Sequence, residues 1–134
     1  MTIKSLLSRL FALVLVACIG LVGCSTSTVG LTGNYGQDTL AVIETMRAAI
    51  NVASDATNKA DLQTLAREQI NDYISRYRRA DKYTALRSFT TMQTALNSLA
   101  GYYTSYGNRP LPDKLKNRLE REFKEVELAV NRGS

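Results

Sequence analysis

Four stretches of the chain carry apolar side chains at intervals of three and four residues, the spacing of one face of an α-helix. They run from about Thr39 to Asn51, about Lys59 to Arg79, about Thr84 to Ser105, and Pro112 to a point before Gly133. In chain order, their apolar faces are formed by Leu40, Ile43, Met46 and Ile50; by Leu62, Leu65, Gln69 or Ile70, Tyr73 and Tyr77; by Leu86, Phe89, Met92, Leu96, Leu99 and Tyr103; and by Leu115, Leu119, Phe123, Val126 and Val130. No stretch shows the sustained alternation of a β-strand, so the pattern predicts an all-α protein.

The residues that flank these stretches favour helix ends. Asp38 and Asn58 are placed to cap the first and second helices, Pro112 suits the first turn of the fourth, and Gly133 suits the position after its end. Short connections separate the helices, at residues 52–57, 80–83 and 106–111. Because short connections make neighbouring helices antiparallel, we expect an up-down-up-down four-helix bundle over residues 38–134, monomeric on its own.

The N-terminus has the features of a secretory signal. Lys4 and Arg9 precede an apolar run, residues 10–22, that is short for a transmembrane helix. The run ends in Leu21-Val22-Gly23-Cys24, which resembles the lipobox of bacterial lipoproteins. We therefore expect residues 1–23 to be removed as a lipoprotein signal peptide and Cys24 to carry the lipid. The alternative is an uncleaved anchor in which Cys24 is incidental.

Residues 24–37 follow the predicted lipid attachment and are rich in Ser, Thr and Gly. They show no apolar periodicity, so we expect a flexible spacer between the lipid and the bundle.

Composition removes several classes of site. The chain has no histidine, Cys18 leaves with the predicted signal peptide, and Cys24 is consumed by lipid, so zinc, haem and Cys/His sites lack their ligands. There is no glycine-rich phosphate loop and no nucleophile elbow. Removal of Lys4 and Arg9 lowers the basic count from 17 to 15 against 12 acids, and the net charge from +5 to +3. This charge is low for nucleic-acid binding. We predict a binding protein without catalytic residues, metal ligands or cofactor.

The third helix contains no charged residue between Ser88 and Asn108. One explanation is that this helix is the most enclosed, with its hydroxyl groups bonded to backbone carbonyls. Another is that its polar face docks against a partner, because the centres of interfaces are depleted of charge and enriched in Tyr and Arg. The two explanations are compatible.

The turn between the second and third helices is strongly basic. Five cations lie within twelve residues, at Arg76, Arg78, Arg79, Lys82 and Arg87. Favourable interaction with a helix C-terminus accounts for one or two of them. The others indicate a contact with carboxylates of another protein or with anionic lipid headgroups.

The fourth helix carries charges of both signs, and its acids are Glu120, Glu122, Glu125 and Glu127. Most of them fall outside the apolar face, which is typical of a solvated surface. Oxygen ligands of this kind leave open a weak site for calcium or manganese. A lipoprotein that carries or buffers manganese or calcium is therefore the alternative function.

Longer segments of the chain resemble one known family. They are Leu31-Thr32-Gly33-Asn34-Tyr35 followed by Asp38-Thr39, Asn71-Asp72-Tyr73 with Arg76-Tyr77-Arg78-Arg79, the run of residues 87–103 from Arg87-Ser88-Phe89 to Gly101-Tyr102-Tyr103, and Leu111-Pro112-Asp113-Lys114-Leu115-Lys116. Together with the lipobox, this ordered set resembles the Psb-twenty-seven family of photosystem II assembly and repair lipoproteins. Asn34 stands where the family pattern has Asp.

The resemblance implies a four-helix bundle anchored by lipid to the lumenal face of the thylakoid membrane. It implies transient binding to immature photosystem II through the large lumenal loop of a core antenna subunit, before the manganese–calcium cluster and extrinsic subunits are in place. It does not assign contacts to individual residues. Our candidates for the partner-binding surface are Arg78, Arg79, Arg87, Tyr102, Tyr103 and Tyr106.

Overall fold

A computed structural model describes residues 30–107 and 109–134. The predicted signal peptide and Cys24 lie outside these residues. Five helices follow one another: α1 Tyr35–Asn51, α2 Lys59–Tyr77, α3 Asp81–Thr84, α4 Arg87–Tyr106 and α5 Asp113–Asn131. The four long helices correspond to the four predicted ones, and the described residues contain no strand. The short helix α3 occupies most of the connection predicted at residues 80–83.

The four long helices form the predicted up-down-up-down bundle. Helix α1 packs against α2 and α5, and helix α4 packs against the same two neighbours. Tyr35, at the start of α1, contacts Tyr77 at the end of α2 and bonds to Ser88 at the start of α4. These contacts place the N-termini of α1 and α4 at the same end of the bundle as the C-terminus of α2.

The core runs along the inner faces of the four long helices. The predicted apolar faces of α4 and α5 are confirmed, since Phe89, Met92 and Leu96 in α4 and Leu119 and Phe123 in α5 are at most 2% exposed. Burying a side chain of this size stabilises the fold by about 1.5–3 kcal/mol. With no disulfide available among the described residues, the bundle depends on this packing.

The inner face of α1 differs from the prediction. Leu40 is 38% exposed, whereas Thr39 is fully buried beside Val42 and Met46. Burial of Thr39 is tolerated because its hydroxyl donates to the Tyr35 carbonyl at 2.7 Å and lies 2.8 Å from the Tyr73 hydroxyl. The face is therefore rotated by one residue at its N-terminal end.

Helix α1 begins at Tyr35, four residues before the predicted start. Its N-cap is Asn34, whose side-chain oxygen accepts a hydrogen bond from the Gln37 amide at 3.0 Å. Asn and Asp are equally good N-caps, so the departure from the family pattern at this position preserves the cap. The prediction that Asp38 caps the helix is wrong, because Asp38 is buried inside the first turn.

The boundary predicted between spacer and bundle is also corrected. The compact unit of the bundle begins at Leu31, whose side chain packs against the core. Residues 31–37 therefore belong to the folded bundle and not to a flexible spacer. The rest of the predicted spacer, up to residue 29, lies outside the described residues.

Of the three other predicted helix ends, two differ from the prediction and one is confirmed. Asn58 precedes α2 without a side-chain capping hydrogen bond, and Pro112 is the N-cap of α5 instead of a first-turn residue. The prediction for Gly133 is confirmed: its φ is +79°, and its amide donates to the Val130 carbonyl. The Ser134 amide donates to the Ala129 carbonyl at 2.8 Å, which completes a Schellman motif.

Candidate docking surface

One face of α4 points to solvent along its whole length. Its exposed residues recur at intervals of three and four, and they are Arg87, Thr90, Thr94, Asn97, Gly101 and Thr104. We call this set the α4 face. The twenty residues of α4 span about 30 Å at 1.5 Å per residue. The α4 face is therefore a long strip, and Arg87 is its only charged residue.

The hydroxyl groups of the α4 face are already hydrogen-bonded within the helix. Thr94 donates to the Thr90 carbonyl at 3.0 Å, and Thr104 donates to the Ala100 carbonyl at 2.9 Å. These bonds match the first explanation given for the uncharged helix, but the face that carries them is exposed and not enclosed. When a partner covers these hydroxyls, they keep their hydrogen bonds to the helix backbone. The desolvation cost of burying this face is therefore low.

Gly101 lies within α4 and on the α4 face. Apart from its chain neighbours and the backbone of its own helix, a Cβ atom at this position would meet no atom of the described chain within 4 Å. Glycine inside a helix costs about 1 kcal/mol relative to alanine. Packing inside the bundle does not explain this cost, whereas close approach of a partner to the helix backbone would.

Two predicted aromatic residues border the C-terminal part of the α4 face. The rings of Tyr102 and Tyr106 are 4.9 Å apart, and Tyr106 is 52% exposed. The Tyr102 hydroxyl donates to the Pro110 carbonyl at 2.7 Å, which fixes that ring against the following loop. Aromatic rings that are already fixed before binding are common anchors in protein interfaces, because they lose little side-chain entropy when the partner binds.

Tyr103 is buried, and the prediction that it belongs to the docking surface is wrong. It is 2% exposed and packs with the core residues Leu96 and Leu99. Burial raises the pKa of its hydroxyl to about 12, and the positive charge of Arg67 offsets part of that rise. Its neighbours Tyr102 and Tyr106 lie on a different side of the same helix.

The three predicted arginines lie at the other end of the bundle. Arg78 and Arg79 follow the C-terminus of α2, Arg87 is the first residue of α4, and all three are exposed. The structure thus divides the predicted surface into an arginine group and a tyrosine group at opposite ends of the α4 face.

The arginine end also contains a buried carboxylate that the sequence did not reveal. Asp38 is 1% exposed, and four groups donate hydrogen bonds to it. The Thr32 amide and hydroxyl reach Oδ1 at 2.7 and 2.8 Å, while the Gly33 amide and the Tyr77 hydroxyl reach Oδ2 at 2.9 and 2.5 Å. Asp38 therefore ties the segment that leads towards Cys24 to the end of α2.

The surroundings of Asp38 set its ionisation. Burial alone would raise the pKa of the carboxyl, but the hydrogen bonds from Thr32, Tyr77 and Gly33 favour the ionised form and hold the pKa below its ordinary value. The position of Asp38 in the first turn of α1 also suits a negative charge. For the Tyr77 hydroxyl, burial and the bond to Asp38 raise the pKa.

An aromatic cluster surrounds this carboxylate. Tyr35 is stacked on Tyr83 with ring centroids 4.9 Å apart, and it meets the edge of Tyr77 at 5.2 Å. Tyr73 lies beside Tyr77 at 5.1 Å and continues the cluster towards Phe89. The cluster joins the starts of α1 and α4 to the end of α2 and to α3, so ring contacts link four helices at the arginine end.

Three of the four glutamates of α5 are used in ion pairs. Arg47 of α1 pairs with Glu127 and, at 3.0 Å, with Glu120, while Arg118 pairs with Glu122 at 2.6 Å. Across residues 30–107 and 109–134, no three acidic side chains come together as a metal-binding group. In the same residues, no helix combines the length and the hydropathy needed to cross a bilayer.

Comparison with known proteins identifies the family. A family model described as Photosystem II Pbs27 matches residues 4–130. The photosystem II lipoprotein Psb27 of Synechocystis sp. is 62% identical over 98% of this chain and 97% of its own length. The photosystem II assembly factor lipoprotein Psb27 of Thermosynechococcus vestitus is 54% identical over 90% of each chain.

Solved structures agree with this result. The solution structure of Psb27 from cyanobacterial photosystem II has a TM-score of 0.75 and 63% identity, and the match covers 79% of this chain and 92% of that one. The crystal structure of PSB27 from Arabidopsis thaliana has a TM-score of 0.73 and 34% identity, covering 75% and 98%. The sequence, the helical bundle and these matches together show that the chain belongs to the photosystem II Psb27 family.

Proposed function

We propose that this protein is a non-catalytic assembly and repair factor of photosystem II that binds immature complexes from the lumenal side of the thylakoid membrane. Two relatives are named as an assembly factor lipoprotein and a repair protein of photosystem II, which supports this role. Within the complex, the proposed partner is the large lumenal loop of a core antenna subunit. Binding takes place before the manganese–calcium cluster and the extrinsic subunits are in place.

The observation that carries the proposal is the α4 face. It is exposed over about 30 Å and has Arg87 as its single charge, whereas nearly a quarter of the whole chain is charged. Arg67 of α2 donates to the hydroxyl of Thr104 on this face at 3.3 Å, and Arg118 of α5 donates to the neighbouring Ser98 hydroxyl at 3.4 Å. An uncharged centre with charges at the rim is the composition expected of a protein interface.

In this proposal the α4 face lies against the partner, with Arg87 at one end and Tyr102 and Tyr106 at the other. Arg78 and Arg79 adjoin the Arg87 end, and their contact with the partner stays a prediction. A polar interface of this kind favours exchange over permanent association, because desolvation offsets much of what its hydrogen bonds gain. That property suits a factor that later subunits displace.

Attachment at the membrane is the second part of the proposal. The lipobox at Leu21-Val22-Gly23-Cys24 supports cleavage before Cys24 and attachment of a diacylglyceryl group to its sulfur through a thioether bond. Two acyl chains hold a protein at a membrane durably, whereas a single chain gives only marginal binding. The lipid then keeps the bundle close to its partner in the plane of the membrane.

The proposal is tested by capture of a tagged protein from gently solubilised membranes. The captured complexes are identified by their subunits, and their oxygen evolution is measured. We expect photosystem II complexes that contain the core antenna subunit and evolve no oxygen. Absence of photosystem subunits, together with tight binding of manganese or calcium in equilibrium dialysis, would overturn the proposal in favour of a metal carrier.

A further inference from the structure

The chain leaves the bundle towards Cys24 at the arginine end. The Asp38 bonds to Thr32 and Gly33 fix this exit, and a Cβ atom placed on Gly33 would lie 3.8 Å from Arg76 Nη1. Seven residue steps separate Cys24 from Leu31, which is at most about 25 Å even when fully extended. This is less than the length of α4, so a bundle attached at Cys24 cannot stand upright with its arginine end pointing away from the membrane.

Charge is concentrated at this same end. The basic residues of α2, α3, α4 and α5 that converge there are Arg76, Arg78, Arg79, Lys82, Arg87 and Arg132. Apart from Asp38, the acids there are Asp72, Asp81 and Glu125, and Asp72 pairs with Arg76 at 3.5 Å. Within the described part of the chain, Arg78, Arg79 and Arg132 form no ion pair.

The opposite end has a different balance. Its charged residues are of both signs and are Asp55, Lys59, Asp61, Arg109, Asp113, Lys114 and Lys116. Three acids thus accompany four cations there. Five of the six cations of the arginine end lie within residues 76–87, and folding brings Arg132 from the end of α5 beside Arg87.

We propose that the arginine end is a membrane-facing surface that binds anionic lipid headgroups, chiefly through Arg78, Arg79 and Lys82. The proposal rests on the membrane attachment proposed above. Arg78 and Arg79 flank the exposed helix α3, and Lys82 lies 4.9 Å from the Tyr83 ring centroid. On the opposite side of this end, Arg87 and Arg132 line a cleft of about 190 Å³, together with Ser88 and Glu125.

The physical basis is attraction between several cations and a charged surface at short range. Each basic residue near an anionic bilayer strengthens binding about fivefold, and the effect decays within a Debye length. An attachment of at most about 25 Å keeps the cations close enough to the bilayer to enter that range without dissociating from the membrane. The surface then orients the bundle with its long axis roughly perpendicular to the membrane. The α4 face runs away from the arginine end and stays accessible from the lumen.

The sequence left the basic turn open to protein carboxylates or lipid headgroups and listed Arg78 and Arg79 as candidates for the protein partner, whereas this proposal assigns them to the headgroups. The two can be separated by observing the full chain on nanodiscs, without photosystem II. One set of nanodiscs contains phosphatidylcholine alone, and in the other about a third of the lipid is phosphatidylglycerol. A gadolinium chelate on a few lipid headgroups broadens the amide resonances of residues that approach the membrane.

We expect amides of residues 78–87 to be broadened at least threefold more than those of residues 109–116 in the anionic nanodiscs. The difference shrinks in neutral nanodiscs and at 1 M salt, where the screening length is about 3 Å. The triple variant Arg78→Glu, Arg79→Glu, Lys82→Glu removes the difference. The matched triple variant Arg109→Glu, Lys114→Glu, Lys116→Glu has the same net charge and retains it.

Other outcomes overturn the proposal in distinguishable ways. If the chain stays on the nanodiscs but its broadening is the same in both lipids, the arginine end does not bind anionic headgroups. If the first triple variant keeps its orientation but no longer captures photosystem II, these residues contact protein carboxylates. Failure of the wild-type chain to remain on either nanodisc would overturn membrane attachment, and this proposal with it, while leaving capture of photosystem II intact.

Discussion

The Tyr77 hydroxyl donates a 2.5 Å hydrogen bond to Oδ2 of Asp38, across 39 positions of sequence. Both residues are buried, so the bond joins the start of α1 to the end of α2 away from solvent. The same carboxylate accepts hydrogen bonds from the backbone amides of Thr32 and Gly33. One ionised side chain thus holds together two helices and the segment that enters the bundle.

Replacement of Tyr77 by Phe should therefore be costly although it removes a single oxygen atom. The variant leaves a buried carboxylate with one donor fewer, and hydrogen bonds to charged groups are worth about 1.5–3 kcal/mol. We expect the free energy of unfolding, measured with urea, to fall by that amount. The control is Tyr102→Phe, whose hydroxyl bonds to Pro110 at a more exposed site and which should cost less than about 1 kcal/mol. Equal losses in the two variants would contradict the special role of the bond.

The ionisation of Asp38 predicts loss of stability in acid. Because the pKa of Asp38 is lower in the folded state than in the unfolded state, its contribution is fully present above about pH 4 and is lost as the pH falls through the folded-state pKa. We expect Asp38→Asn to be less stable than the wild type at neutral pH. The difference between the two should shrink progressively below about pH 4 in urea titrations. A difference that is constant down to pH 2 would show that Asp38 acts by shape and not by charge.

The burial of Tyr73 predicts a loss of folding stability in alkali. Its ring is fully buried, and burial raises the pKa of its hydroxyl well above the ordinary value. Above about pH 10 the unfolded chain therefore releases a proton that the folded chain keeps, and stability falls by about 1.4 kcal/mol per pH unit for each such tyrosine. Tyr73→Phe should have a shallower decline between pH 10 and 11. Tyr106→Phe, at a 52% exposed position, should decline like the wild type, and a parallel decline of all three would contradict the assignment.

The periodic pattern predicted the core correctly where the buried residues are also the apolar ones. In α4 and α5, Leu, Phe, Met and Val recur every three or four residues, and these residues form the core. Tyr103 fitted that pattern as well, and its grouping with Tyr102 and Tyr106 as surface residues ignored its spacing from Leu96 and Leu99. A tyrosine is compatible with the core and with the surface, so its position on the helix decides whether it is buried.

Long-range bonds account for most of what the pattern missed. Thr39 and Asp38 are polar, and sequence reasoning places such residues at caps or on the surface. They are buried because their partners Tyr73 and Tyr77 lie 34 and 39 residues away, a relationship that no local spacing encodes. The hydrogen bonds from Thr32 and Gly33 to the same Asp38 hold residues 31–34 on the bundle, which is why a segment with the composition of a spacer is ordered there.

Gly101 offers a test of the α4 face that separates binding from stability. Because a Cβ atom at this position meets no atom of the described chain within 4 Å, Gly101→Ala should stabilise the bundle by about 0.5–1 kcal/mol. At a closely packed interface the added methyl group would instead cost about 1–3 kcal/mol, which weakens capture of photosystem II by at least about fivefold. Thermal unfolding and quantitative capture measure the two effects.

The control for this variant is Asn117→Ala, an exposed position on α5 away from the α4 face. Alanine is the better helix former there too, so this variant should also be stabilised, by a few tenths of a kcal/mol. Because its site is remote from the proposed contact, its capture of photosystem II should equal that of the wild type. A stabilised Gly101→Ala protein that captures normally would place the docking surface elsewhere on the bundle, whereas a stabilised protein that captures poorly can be explained only by the contact itself.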